Sequence, residues 1–300
     1  MQKLSWGLAA SIAVCGIAVD MRPALGQAVV REGVGANAAA IQAIVDQFRA
    51  DLGALAAPGA STGDPNRRRE VNWDGVPDNL SSGGGAFPGD FFNQPAAFPT
   101  AGRIRGIQFT TTGGFEVSAD SDSDNDGSPG PVPMLFGNHS PENADDYAAF
   151  SPERIFGLVG TNQMDVTFSP AGQPGVPAHV RGFGVVFTDV ELAGAAKLDF
   201  YDAANNLLLS RSAPAFAFTG SDSFKSFSFV GASFPTAVVA RVHITNGGYD
   251  LNLQQFGADD ATAMDDFIYG EPIAVPEPAA ALPATAALAA IGCSRRRRPS

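Results

Sequence analysis

Carboxylates at alternate positions are the first residues in this chain whose spacing suggests chemistry. The run ADSDSDNDG places Asp120, Asp122, Asp124 and Asp126 ahead of Gly127, the opening of a calcium-binding loop of the D-x-D-x-D-G kind. Alternate side chains there can turn inward on a hard cation while the glycine permits the bend. Counting from Asp122, the acid needed at the twelfth position is replaced by Pro133, so no EF-hand is present. Two readings stay open: a calcium site completed by distant carboxylates, or a hydrated acidic loop between strands. A second pair, Asp265 and Asp266, follows six residues after Asp259 and Asp260. It could join a calcium ion between terminal strands or simply accept N–H groups of a turn. Calcium is the one cofactor these patterns suggest.

Trp73, with Phe87, Phe91 and Phe92 close behind it, could form a platform on which a sugar ring stacks, or could close one end of an apolar core. Arg67, Arg68 and Arg69 form a basic cluster beside many acids, which reads as a salt-bridged or solvated edge. The three histidines, His139, His179 and His243, share no metal-ligand spacing, and no serine stands in a G-x-S-x-G elbow. A catalytic constellation is therefore not visible. Dispersed carboxylates leave room for a glycosidase pair, whose separation is a spatial quantity. With 19 basic against 31 acidic residues the chain carries a formal charge of −12. Four of the basic residues stand together at 295–298, so the remainder is more acidic still. Such a surface repels a phosphate backbone, and nucleic-acid binding is excluded on that ground.

The elements that must position these groups are short. After residue 100, strand candidates succeed one another at 103–110, 114–119, 164–168, 179–190, 197–202, 206–210, 215–219, 224–230, 237–245, 250–256 and 265–270. Several alternate cleanly: Val242 and Ile244 oppose Arg241 and His243. Asn205-Asn206 marks a tight reversal between two of them. The 34 glycines and 22 prolines punctuate, and 22 phenylalanines supply the filling. The expected fold is all-β, a two-layer antiparallel β-sandwich with jelly-roll or immunoglobulin-like strand order left open, preceded by one amphipathic helix. That helix is read from Asn37 to Leu55, where Ile41, Ile44, Val45, Phe48 and Leu52 recur at helical spacing behind a capping Asn37. The expected organisation is a signal peptide over 1–28, a helical segment over 29–55, a linker over 56–66, the sandwich over 67–273 and a sorting signal over 274–300.

Both chain ends read as addresses. MQKLSWGLAASIAVCGIAVDMRPALGQA has a lysine, an apolar run and small residues before Ala28, as a signal peptidase substrate does. The only cysteines, Cys15 and Cys293, lie within the terminal segments, so the body between them has no internal disulfide despite an oxidising destination. At the other end, VPEPA is followed by an apolar stretch and by Arg295, Arg296, Arg297 and Arg298. This tail resembles the PEP-CTERM sorting signal of exported bacterial proteins. The resemblance implies that Pro276, Glu277 and Pro278 are recognised by an exosortase-type membrane protease. It also implies a transient stop in the inner membrane and an arginine cluster left in the cytoplasm, in keeping with the positive-inside rule. The body segments REVNWDGVPD, GFGVVFTDV, LDFYDAANNLL, SFSFVGASFP and MDDFIYGEP are similar to a lectin-like extracellular sandwich found in PEP-CTERM proteins of unassigned activity. Together these imply an exported, non-catalytic envelope or matrix protein, with an extracellular polysaccharide as partner. A carbohydrate-binding module with a calcium site and a glycoside hydrolase are the alternatives.

Overall fold

The computed structural model describes residues 27–81, 86–94, 101–122, 134–216, 225–251 and 260–275. In chain order the elements are β1 (Val29–Gly35), α1 (Ala38–Leu52), β2 (Ala54–Leu55), β3 (Arg67–Val71), β4 (Ile107–Thr110), β5 (Gly114–Val117), α2 (Asn143–Asp146) and β6 (Phe156–Val159). They continue with β7 (Gln163–Phe168), β8 (Ala178–His179), β9 (Gly182–Thr188), β10 (Lys197–Tyr201), β11 (Leu207–Ser212), β12 (Phe227–Ser233), β13 (Arg241–Thr245), β14 (Ala263–Gly270) and β15 (Ile273–Ala274).

Two antiparallel sheets pack face to face, as the alternating strands imply. One has the order β1-β12-β9-β14-β3-β2, with β6 also on β14 and β5 beyond it; the other runs β11-β10-β13-β7-β4. Only β2 and β3 pair in parallel within these sheets, and β8 with β15 form a small separate ribbon. Strands β9, β12 and β14 are buried along their whole length because both of their faces are covered. Phe183, Val185, Phe187, Val230, Ala232, Phe267 and Tyr269 point between the sheets, while Val186, Phe227, Phe229 and Ile268 point the other way, under α1.

Helix α1 begins where Asn37 accepts a hydrogen bond from the N–H of Ala40 on its side-chain oxygen. It buries Ile41, Val45, Phe48 and Leu52 on one face. It ends at Gly53, whose φ of 102° suits glycine, and where a Cβ would lie 1.9 Å from the carbonyl oxygen of Asn66. The helix sits close because its seat has no side chains. Gly184 and Gly231 face each other across β9 and β12, and a Cβ on Gly184 would come within 2.7 Å of the Phe48 ring.

The amphipathic helix is thus in place, but the segment around it does more than the sequence reading gives it. Val29–Gly35 is an edge strand paired with β12 over seven residues, and Ala54–Leu55 adds β2. The strand signal of VVREGVG is masked by Gly33 and Gly35, which are there for packing: a Cβ on either would lie 2.7 Å from Ile44 or 2.4 Å from Ala40. The stretch 56–66, read as a linker, folds back onto the sandwich. Ala57 and Ala60 offer their carbonyls to Arg69, and Thr62 donates its N–H to Glu271. Strand β6 was not expected from sequence. Ala215, Phe216, Asp250 and Leu251 lie outside strands, and the rest of the candidates at 215–219 and 250–256 falls outside the described residues.

Candidate functional site

Trp73 is where the structure corrects the sequence most sharply. The indole is 1% exposed, stacked on Phe156 with ring centroids 4.0 Å apart and met edge-on by Phe87, Phe92 and Phe267. It has no open face for a sugar, so it is not a ligand-binding residue. Its φ of 67° turns it inward, and its Nε1–H donates to the carbonyl of Asp265 at 2.8 Å. The aromatic group closes the core, the second of the two roles its composition allowed.

That hydrogen bond ends on the most acidic point of the sheet interior. Along one edge β14 changes partner, from Phe156 of β6 opposite Met264 to Val71 of β3 opposite Phe267, and against β9 its register shifts between the same two residues. Asp265 and Asp266 occupy the bulge, which re-aims both side chains. Asp265 Oδ2 accepts the N–H groups of Phe150 and Ser151 at 2.5 and 3.1 Å. Asp266 Oδ1 accepts the Ser151 hydroxyl at 2.5 Å, and its Oδ2 meets Arg49 Nη2 at 2.9 Å. Backbone N–H groups take Asp265, and the Ser151 hydroxyl and Arg49 take Asp266, so a calcium ion at this pair would have to displace them. Burial, then the neighbouring Asp266 charge, pushes Asp265 well above the ordinary carboxylate range. Burial raises Asp266 to about 6 against the opposing pull of Ser151 and Arg49. Near neutral pH Asp266 is the charged partner of Arg49, while burial favours the protonated form of Asp265.

Asp266 opens onto a pocket of about 270 Å³ lined also by Arg49, Arg69, Glu70, Arg105 and Ser151. Arg49 reaches it from the last turn of α1 and bonds Glu70 at 3.1 and 3.2 Å as well as Asp266. Despite burial, these acids hold its pKa up. Arg69 is buried and bidentate to Glu271 at 2.6 and 3.0 Å. Arg105 differs from the other two: it donates to the carbonyls of Glu70 and Gly102 and lies 5.7 Å from the Phe92 ring centroid, with no carboxylate partner among the described residues. Burial and Arg69 lower its pKa. The two carboxylates facing the pocket, Glu70 and Asp266, are bridged by one guanidinium instead of flanking an open cleft, so a sugar would have to displace Arg49 to lie between them.

The remaining sequence candidates separate. Asp120 pairs with Arg154 at 2.7 Å, and Arg154 also holds Asp78 at 2.5 Å. Asp122 donates its N–H to Asp120 Oδ1. Asp124 and Asp126 lie outside the described residues, as do Pro276, Glu277, Pro278 and Arg295, Arg296, Arg297 and Arg298. Of the Arg67–Arg69 cluster, Arg67 is exposed and Arg69 is fully buried. His243 and Arg241 share Asp165 on the outer face of the five-stranded sheet, at 3.0 and 2.5 Å. His139 lies 2.7 Å from Glu116. Arg49 and Arg105 were missed in the sequence; nothing marks a lone arginine on the polar side of a helix, or beside a glycine turn, as a pocket residue.

Fold and pocket define a class: an all-β sandwich with a helix seated on one sheet and a polar, arginine-lined pocket at the helix's end. No family model matches the chain, and no curated protein does. Among solved structures, the enzymatically active domain of tailspike protein 4 from bacteriophage CBA120 is similar at 14% identity and a TM-score of 0.21, over 70% of this chain and 21% of that one. The chain thus spans about a fifth of that neighbour's length, and a likeness at this score carries no argument about function.

Proposed function

We propose that the protein is an exported, non-catalytic component of the cell envelope or extracellular matrix, released from the membrane by cleavage at its C-terminal sorting signal. One observation carries the reading: the described elements all lie between the two expected cuts. Its first strand begins at Val29, immediately after Ala28. Its last described contact is the hydrogen bond from the Val275 N–H to the Pro177 carbonyl, one residue before Pro276. Removal of both ends would therefore leave every described element whole. No helix among the described residues is long and apolar enough to cross a membrane; the proposal assigns the transient stop to the apolar stretch before Arg295, as the resemblance of the tail implies. Mass spectrometry of the released protein should find termini near Val29 and Glu277. Recovery of the Arg295–Arg298 peptide from the extracellular fraction would defeat the proposal.

A second reading, binding of an acidic polysaccharide, is favoured by Arg105. A half-buried guanidinium without a carboxylate partner among the described residues, on a pocket wall, suits the carboxylate of a uronic acid. Titration calorimetry should show binding to polygalacturonate and none to dextran, lost in Arg105→Gln and weakened in Arg105→Lys. Equal binding by wild type and Arg105→Gln would refute this role.

A further inference from the structure

A different group of acids gathers where the ends of α2 and β9 meet the loop entering β14. Asp260 is 2% exposed, and its Oδ2 accepts the N–H groups of Glu191 and Leu192 at 2.8 and 2.9 Å. Asp189 is 7% exposed, held at a φ of 65°, and donates its N–H to the carbonyl of Ser226 at 3.0 Å. Three buried oxygens here have no hydrogen-bond partner among the described residues: Asp189 Oδ1, Asp260 Oδ1 and Ser226 Oγ. Unpartnered buried acceptors are costly, and side chains otherwise avoid that state.

We infer that Asp189 and Asp260, with Ser226 beside them and Glu191 and Asp146 in the surrounding field, form a binding site for a calcium ion. Calcium suits the donors because all are hard oxygens and because its coordination shell is large and adaptable. Among the described residues no three His, Cys, Asp or Glu side chains already stand as a complete ligand set. The assignment accordingly takes two carboxylates as direct ligands and leaves the other positions to the serine oxygen, main-chain carbonyls and water, a mixture usual for this ion. Charge agrees with geometry. Burial and then Glu191, Asp260 and Asp146 push Asp189 up to about 9, and burial with its acidic neighbours lifts Asp146 to about 6. Lys225 is the cation that opposes this, and it acts on Asp146. No arginine or lysine ion pair among the described residues reaches Asp189, Glu191 or Asp260. The buried acids Asp266 and Glu271 each have an arginine; here a metal ion would fill that part.

An affinity of about 10⁻⁴ to 10⁻³ M is expected, the range of extracellular modules. The site would then be filled outside the cell and empty within it.

The test uses the full chain, stripped with chelator and titrated with calcium chloride in a calorimeter and in thermal melts. One ion should bind, the melting temperature should rise, and Asp189→Asn and Asp260→Asn should each weaken binding by about tenfold or more. Asparagine tolerates the left-handed backbone at 189 and preserves the acceptor at 260. A triple variant, Asp122→Asn with Asp124→Asn and Asp126→Asn, should bind as wild type does. The inference is overturned by absence of binding at about 10 mM calcium, well above the range expected, or by a response lost in the triple variant and kept in the other two. Should Asp189→Asn fail to fold, as judged by circular dichroism, Asp260→Asn decides alone.

Discussion

Helix α1 is held on its sheet by a ring seated over two glycines, and that arrangement makes a quantitative prediction. Phe48 is fully buried, with its ring centroid 5.4 Å from that of Phe229. Phe48→Ala should cost about 3–5 kcal/mol through lost burial and the cavity left behind. Gly184→Ala should cost about 1–3 kcal/mol by overpacking, since its new methyl would lie 2.7 Å from Phe48 Cε1 and 2.9 Å from Phe229 Cζ. Neither glycine of the pair has a left-handed φ, so no backbone strain enters. Once the Phe48 ring is gone, half of the clash at 184 disappears, and the new methyl fills part of the cavity. The double variant should therefore be more stable than the sum of the single losses predicts, by about 1 kcal/mol or more. In a domain of this size, about 1 kcal/mol moves the melting temperature by about 2–4 °C. Urea unfolding followed by circular dichroism would measure the cycle. Gly231→Ala, with its closest approach at 3.0 Å, should show the same coupling more weakly. Additivity within about 0.5 kcal/mol would show that Phe48 and Gly184 are not in the contact described, and the account of the seat would fail.

Four further outcomes follow from the buried charges and the indole. Asp266 keeps its proton in the folded state up to about 6, whereas unfolded it ionises near its ordinary value of about 3.9. Its contribution to stability is thus full below pH about 4 and falls as pH rises to about 6, by about 3 kcal/mol in all. Asp266→Asn should flatten that part of the stability profile. Arg49→Met should destabilise strongly at neutral pH, by about 3–5 kcal/mol, and much less at pH about 5, where Asp266 can neutralise itself by taking up a proton. Glu271→Gln, read by urea unfolding, should cost a similar about 3–5 kcal/mol because it leaves the buried Arg69 uncompensated. Trp73→Phe should lower stability by about 1–3 kcal/mol, since the Asp265 carbonyl loses its donor. It should leave polygalacturonate binding unchanged, whereas a lost affinity in the folded variant would reinstate Trp73 as a ligand residue.

The sandwich was legible because its clearest strands carry a two-residue period that burial on one face imposes. Val242 and Ile244 of β13 are in the core, and Arg241 and His243 are on the outer face, as the alternation requires. The Asn205 reversal is equally local: its φ is 61°, and Asp202 accepts the N–H groups of Ala204 and Asn206. What failed was local signal overwritten by packing. In β1 the glycines that admit α1 dilute the strand pattern. Around Trp73, an aromatic cluster looks the same in sequence whether it is exposed to a sugar or surrounded by phenylalanines. The pocket was invisible for a further reason: Arg49 and Asp266 are 217 residues apart, and their meeting depends on where α1 docks.

The distribution of arginines explains how so acidic a body folds without a disulfide, and it separates the acids that are structural from those that are not. Arg69 ties β3 to Glu271 across 202 positions of sequence, Arg49 ties α1 to β14, and Arg154 gathers Asp78 and Asp120. Each is a bond between distant segments, made by a side chain whose fork can hold two acceptors at once. Its worth is chiefly that removing one partner strands the other in a dry place. By that measure Asp120, Asp266 and Glu271 already have their cations, and a ligand would have to compete with an arginine for them. Among the described residues Asp189 and Asp260 have none. Both are buried, so the missing charge is not a matter of exposure to water. An acid left unpaired in a rigid interior must either keep its proton or meet a mobile cation. The calcium titration distinguishes these fates, because a site that merely keeps its proton would not respond to the ion.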